Sequence, residues 1–259
     1  MRMMKKVLGT VTVLALSVSL LAGCGSTAAS PVSSAASTAA ESTTSSVVSE
    51  TTSAAADENV AAAAQLLNDL TGSYQELWPV ILADEYHQTW LDDCTALVGE
   101  ENAEAAFEKL SSMVTGDVYG ENAVKAYANG GGAYFCGFTN GLVTLTFDGE
   151  TSTISGTDKD GNVLFSHTYH YIGMEPVRGL YEFESDDADS GEFTYFFLAP
   201  DTSAETYHIE FRYGSDAEAL SQYDAGEYAY WLASGISTDC DQTMIDNCIE
   251  LFCTENLAG

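Results

Sequence analysis

Few residues in this chain have the types and spacing to do chemistry. His208 and Glu210 stand two apart in the segment Thr206-Tyr-His-Ile-Glu-Phe-Arg-Tyr213. The alternation predicts a strand with Tyr207, Ile209, Phe211 and Tyr213 on one face and Thr206, His208, Glu210 and Arg212 on the other. A two-residue step in a strand separates Cα atoms by about 6.5–7 Å, which lets an imidazole nitrogen and a carboxylate oxygen converge on one cation. Zinc accepts both donor types and usually takes at least three protein ligands. Arg212 on the same face acts the other way, because its charge disfavours a neighbouring cation and can pair with Glu210. The strand therefore carries two readings, a metal-binding pair or a polar face with a Glu–Arg pair and a solvated histidine.

The remaining candidates are weaker. His167 and His170 are three apart in a strand-like stretch, so they face opposite sides and do not share a site unless a bulge intervenes. His87 lies in a helical pattern beside Asp84, Glu85 and Trp90 and reads as a solvated or partly packed helix residue. Asp186-Asp187-Ala188-Asp189-Ser190-Gly191 matches a calcium loop only in part, lacking the distal glutamate and the full ligand spacing, and reads as an acidic hairpin loop. The sequence has no nucleophile elbow, HExxH, phosphate-cradling loop or dinucleotide fingerprint. The expected class is a binding protein, not an enzyme.

Around these residues the elements change character along the chain. Ser73 and Glu76 have capping-box spacing and predict a helix start. Glu85–Leu97 and Glu101–Val114 carry apolar residues at helical spacing, and Tyr119–Ala128 is a shorter helical candidate. Gly130-Gly131-Gly132 reads as a hinge into the strands. Ala133–Phe138, Leu142–Asp148, Thr151–Thr157 and Asn162–Tyr171 are strand-like, punctuated by Asn140-Gly141, Asp148-Gly149 and Asp160-Gly161, the dipeptides of tight hairpins. Arg178–Ser185, Phe193–Ala199 and Thr206–Tyr213 continue the pattern. Seven or more such strands predict a closed or nearly closed barrel, which removes the exposed edges. Ser215 with Glu218 looks like a second capping box, and Ser237 or Thr238 is placed to cap a final helix ending near Cys253. The expected fold is α+β: a lipocalin-like antiparallel β-barrel, or calyx, with flanking N- and C-terminal helices.

The N-terminus reads as an address. Arg2, Lys5 and Lys6 precede an apolar run from Val7 to Leu21, and Leu21-Ala22-Gly23-Cys24 looks like a bacterial lipobox in which Cys24 receives lipid. The expectation is a signal peptide over 1–23 and then a lipidated Cys24 opening a disordered Ser/Thr/Ala tether over 24–56. A globular domain over 57–259 completes the chain. That arrangement implies a lipid-anchored, extracytoplasmic protein on the cell surface or the periplasmic face of a membrane. The net charge is −31, with 8 Lys+Arg against 39 Asp+Glu. Nucleic-acid binding is excluded on this ground, since phosphate contacts need a basic surface, while cations are favoured. Five cysteines come after Cys24: Cys94, Cys136, Cys240, Cys248 and Cys253. An odd number cannot all pair within one chain, and the spacings do not choose a pair. Cys248 shares an apolar helix face with Met244, Ile245 and Phe252 and reads as packing.

The order of Tyr74-Gln-Glu-Leu-Trp78-Pro, Arg178-Gly-Leu-Tyr-Glu-Phe-Glu184, Asp189-Ser-Gly191, Ala199-Pro200, Tyr207–Gly214, Asp216-Ala-Glu-Ala-Leu220 and Tyr228-Ala-Tyr-Trp231 resembles the ZinT (YodA) family across the globular part. The resemblance implies a lipocalin-like domain that binds zinc or cadmium outside the cytoplasm. It also implies three histidine ligands, two in a His-x-His pair and one on the preceding strand. Here the pair falls on His208 and Glu210, and the upstream position falls near Phe196, where no histidine stands. The function this resemblance implies is that of a divalent-metal lipoprotein, with zinc as the expected cargo, that buffers metal or delivers it to an uptake transporter. Two other readings stay open. In one, a calyx takes a small ligand against Tyr181, Phe183, Tyr195 and Phe197. In the other, a surface interaction module with a degenerate metal site meets a cationic partner.

Overall fold

A computed structural model describes the backbone of residues 47–200 and 208–258, and side chains within those ranges from Glu58 onward. The leader, Cys24, the tether as far as residue 46 and the segment 201–207 lie outside the described residues.

Eight strands form one closed antiparallel barrel in sequence order, with β1 hydrogen-bonded to β8. They are β1 (Gly72–Glu76), β2 (Thr144–Asp148), β3 (Thr153–Thr157), β4 (Val163–Met174), β5 (Tyr181–Ser185), β6 (Tyr195–Leu198), β7 (His208–Gly214) and β8 (Ala233–Ser237). The helices are α1 (Val47–Asp69), α2 (Leu77–Ile81), α3 (His87–Val98), α4 (Ala103–Val114), α5 (Glu121–Ala128), α6 (Ala217–Leu220) and α7 (Gln242–Leu257). The expected closed barrel with flanking helices is present, and six of its strands, β2 to β7, are those that the period of two marked out.

Several local expectations are corrected. Ser73 and Glu76 do not open a helix. They belong to β1, where buried Tyr74 faces the barrel interior and pairs with Leu145. The Glu76 carboxylate, instead of capping, accepts a 2.6 Å hydrogen bond from the Phe138 amide. Ala133–Phe138 is no regular strand. It makes single bridges from Phe135 to Thr115 and Trp231, and the adjoining residues are hydrogen-bonded to the barrel, the Cys136 carbonyl accepting from the Ser234 amide at 2.9 Å. Gly137 accepts from the Trp231 indole at 2.9 Å, and the Thr139 amide donates to the Tyr213 hydroxyl at 2.6 Å. The short helix α6 is capped by Asp216, one residue after the expected Ser215. Asp241, not Ser237 or Thr238, caps α7, which continues past Cys253 to Leu257.

Two cores result. The larger fills the barrel with Leu145, Phe147, Ile154, Phe183, Phe196, Phe211 and Tyr213, each 1% exposed or less. Their rings stack: Phe196 lies 5.3 Å from Tyr213 and 5.8 Å from Phe165. The second core lies outside the barrel wall, where Ile236 of β8 meets Leu77, Ile81, Trp90, Cys94, Leu110, Ile249 and Cys253 from α2, α3, α4 and α7. This outer layer of helices determines what stands beside β7.

Candidate metal centre

The antiparallel ladder sorts β7 into two faces, because directly paired residues share a face. Phe211 pairs with Leu198 and Ala233, and Tyr213 with Phe196, all in the barrel core. His208 pairs with Ile236 and Glu210 with Ser234. Ile236 belongs to the outer core, so His208 and Glu210 point outward together, as the alternation predicts. They line a narrow cleft of about 40 Å³ with Leu77, Trp78 and Ile81 on one side and Cys248, Leu251, Phe252 and Glu255 of α7 on the other. That volume suits an ion and a water, not an organic ligand, whose pockets run to several hundred Å³.

Arg212 leaves this cleft alone. Its side chain is fully buried. The guanidinium donates to the carbonyls of Leu220, Gln222 and Tyr228 and lies 4.3 Å from the centre of the Tyr223 ring. Arg178 stacks on the same ring at 4.6 Å. Desolvation lowers the pKa of Arg212 from its ordinary value. Among the described residues no Arg212–Glu210 ion pair forms, so the reading of the strand as a plain polar face loses its central contact.

Burial first, and then the Glu210 carboxylate, push the Cys136 thiol up to about 12, so this cysteine is held protonated. The Trp78 indole N–H, which also borders the cleft, is buried, and its interaction with the Cys136 thiol works against that rise. The donor chemistry of imidazole, two carboxylates and a thiol fits a borderline-soft divalent cation. The placement is looser than the chemistry: among the described residues no three His, Cys, Asp or Glu side chains converge on one point. The upstream position near Phe196 adds nothing, since Phe196 is buried in the barrel interior, across the sheet from His208 and Glu210.

The other histidines separate as expected. His170 Nδ1 lies 2.8 Å from Asp186, and His167 Nδ1 lies 2.7 Å from Asp187. His167 packs edge-on to Tyr169. The acidic loop is thus clipped to β4 by two histidine–carboxylate contacts, which the sequence reading missed. Their signal was the count of cations: with so few Lys and Arg, carboxylates meet histidines instead. His87 packs against Phe107 at 4.8 Å and sits 3.5 Å from Glu104, a partly packed helix residue.

The aromatic quartet does not line one cavity. Phe183 pairs with Phe196 and Tyr181 with Leu198, inside the barrel. Tyr195 and Phe197 pair with Gly214 and Arg212, on the outer face. The register places the two halves of the quartet on opposite sides of the sheet, and rings fill the interior.

No family model matches the sequence, and no curated protein matches it. Solved structures do. One is the Zn(II)-bound ZinT-like domain of Streptococcus pneumoniae AdcA, 16% identical, with 71% of this chain and 89% of that one covered and a TM-score of 0.44. Another is Zn(II)-bound AdcA from the same organism, 14% identical, with 72% of this chain and 35% of that one covered and a TM-score of 0.42. This chain therefore spans about a third of the second. These likenesses do not by themselves assign it to a family.

Proposed function

We propose that this protein is a binding protein, not an enzyme, for a divalent cation of the zinc type. In this reading it is held outside the cytoplasm by a lipid on Cys24. The observation that carries the reading is the side-by-side placement of His208 and Glu210 in a cleft of ionic size, with Arg212 engaged elsewhere. His208 supplies a neutral nitrogen and Glu210 a charged oxygen, and water completes the shell. With two protein donors the site holds metal less tightly than a closed three- or four-ligand site. That suits buffering, or release to an uptake transporter, and the acidic surface concentrates cations near the cleft. The leader and lipobox residues support the location.

Calorimetric titration of the purified chain with Zn²⁺ tests the reading. Saturable binding is expected with Kd tighter than about 0.1 mM, weakened tenfold or more in His208→Ala and in Glu210→Gln. Absence of saturable binding, or binding indifferent to His208→Ala, ends the proposal.

A further inference from the structure

Cys94 lies on α3 and Cys253 on α7, both fully buried in the outer core. Their sulfurs stand 3.9 Å apart. A disulfide requires about 2.05 Å, and Cα atoms within roughly 7 Å. The gap between the sulfurs is thus about 1.9 Å, and rotation about each Cα–Cβ bond is the motion available to close it. Neighbouring cysteines are differently placed. Cys248 is five residues before Cys253 on the same helix, which puts the two on well-separated faces of it, and it borders the metal cleft. Cys240 precedes α7 and is only partly buried. Cys136 lies near Glu210 and Trp78.

We infer that Cys94 and Cys253 are the chain's disulfide pair, joining α3 to α7. The oxidant is a small or protein disulfide, and the step is two exchanges. A Cys thiolate attacks the oxidant's disulfide, forming a mixed disulfide and releasing one thiol. The second Cys thiolate then displaces the other half, releasing a second thiol. Two protons and two electrons leave the protein, and the oxidant is reduced to two thiols. The odd count is thereby resolved, with Cys136, Cys240 and Cys248 remaining as thiols.

Burial raises the pKa of both Cys94 and Cys253, so the exchange belongs to the folding chain, before the outer core closes over them. The consequence for the cleft is mechanical. α7 carries Phe252 against Trp78 at 4.7 Å, and Glu255 along the cleft wall. A bond at Cys253 holds that wall in place. The inference draws on the extracytoplasmic reading for its setting in the cell, but the choice of partners depends on geometry alone.

The test is to unfold the full chain, refold it in a mixture of reduced and oxidised glutathione, alkylate without reduction, digest and map by mass spectrometry. A cross-linked peptide joining Cys94 to Cys253 is expected, with Cys136, Cys240 and Cys248 alkylated. Dithiothreitol should then lower Tm by roughly 5–10 °C in the wild type and leave Cys94→Ala/Cys253→Ala unmoved. Alkylation of both Cys94 and Cys253 in the wild type, or a link from either to a different cysteine, overturns the inference. The map needs no variant and no metal, so its outcome is independent of the zinc titration.

Discussion

Arg212 is an uncommon residue to find at zero exposure. Its charge is met by carbonyl dipoles and the Tyr223 ring, not by a carboxylate. Glu175, also fully buried, spends its oxygens on the amides of Val177 and Arg178 and on the Tyr223 hydroxyl. Two buried charges of opposite sign are thus linked through one tyrosine. Arg212→Leu keeps the bulk and removes the donors, leaving the carbonyls of Leu220, Gln222 and Tyr228 without that partner. We expect a loss of about 3 kcal/mol in urea unfolding, each stranded acceptor costing about 1–3 kcal/mol before relaxation. Arg212→Lys, which retains charge but not the planar fork, should fall between. A loss below about 0.5 kcal/mol for Arg212→Leu would show that the carbonyls find other donors. At this scale the sequence was informative about direction and silent about partner: alternation put Arg212 on the outer face correctly, but carbonyls from a loop eight to sixteen residues later cannot be read from spacing.

At the scale of elements, α7 matters most to the cleft, because it supplies one whole wall. It begins at Asp241, whose Oδ1 accepts from the Met244 amide at 3.0 Å. Asp241→Ala should cost about 1 kcal/mol by urea unfolding, and Asp241→Asn should recover most of it. Ser237→Ala should cost less, since Ser237 serves only the Asp239 amide. Equal losses for the two alanine variants would contradict the cap assignment. The strands that the sequence revealed are those with strong alternation and clear turns. Asn140 and Gly141 both take positive φ, at 55° and 77°, as such a turn requires. β1 and β8 were missed for physical reasons. Gly72–Glu76 carries polar residues that imitate a helix start, and Ala233–Ser237 is small apart from Ile236, with Ile209 3.1 Å from where a Cβ on Gly235 would stand. Both are strands by tertiary pairing more than by propensity. The same holds for the cleft: His208, Glu210 and a C-terminal helix were legible, but the packing of α2 and α7 opposite the two donors was not.

For the whole molecule, the dominant quantity is charge. Few positive side chains offset the acids, and the described Lys–carboxylate pairs, Lys125–Glu121 and Lys159–Asp160, are exposed and contribute little. Self-repulsion at a net −31 should make stability depend on ionic strength. Raising NaCl from about 10 to 300 mM shortens the screening length from about 30 Å to well under 10 Å. Tm should rise on the order of 5 °C, equally in KCl. A flat response would mean that the carboxylates are spread too far apart to interact, and a response to one salt alone would mark specific ion binding. A zinc-induced rise in Tm that persists at high salt is therefore separable from screening.

The barrel closes by joining β1 to β8, with Tyr74 opposite Ser237. Every other strand pairs with its immediate successor, so hairpins from β2 to β7 can zip up as the chain emerges. The seam alone must wait for residues near the far end. Until then β1 has only β2 beside it, and β8 has only β7. Loop-closure entropy makes such a distant pairing slow. We therefore expect the last event of folding to be the one that brings α2, just after β1, up to β7 and α7. The cleft comes into existence only with the seam, and a chain truncated before Ala233 would carry both donors and no site.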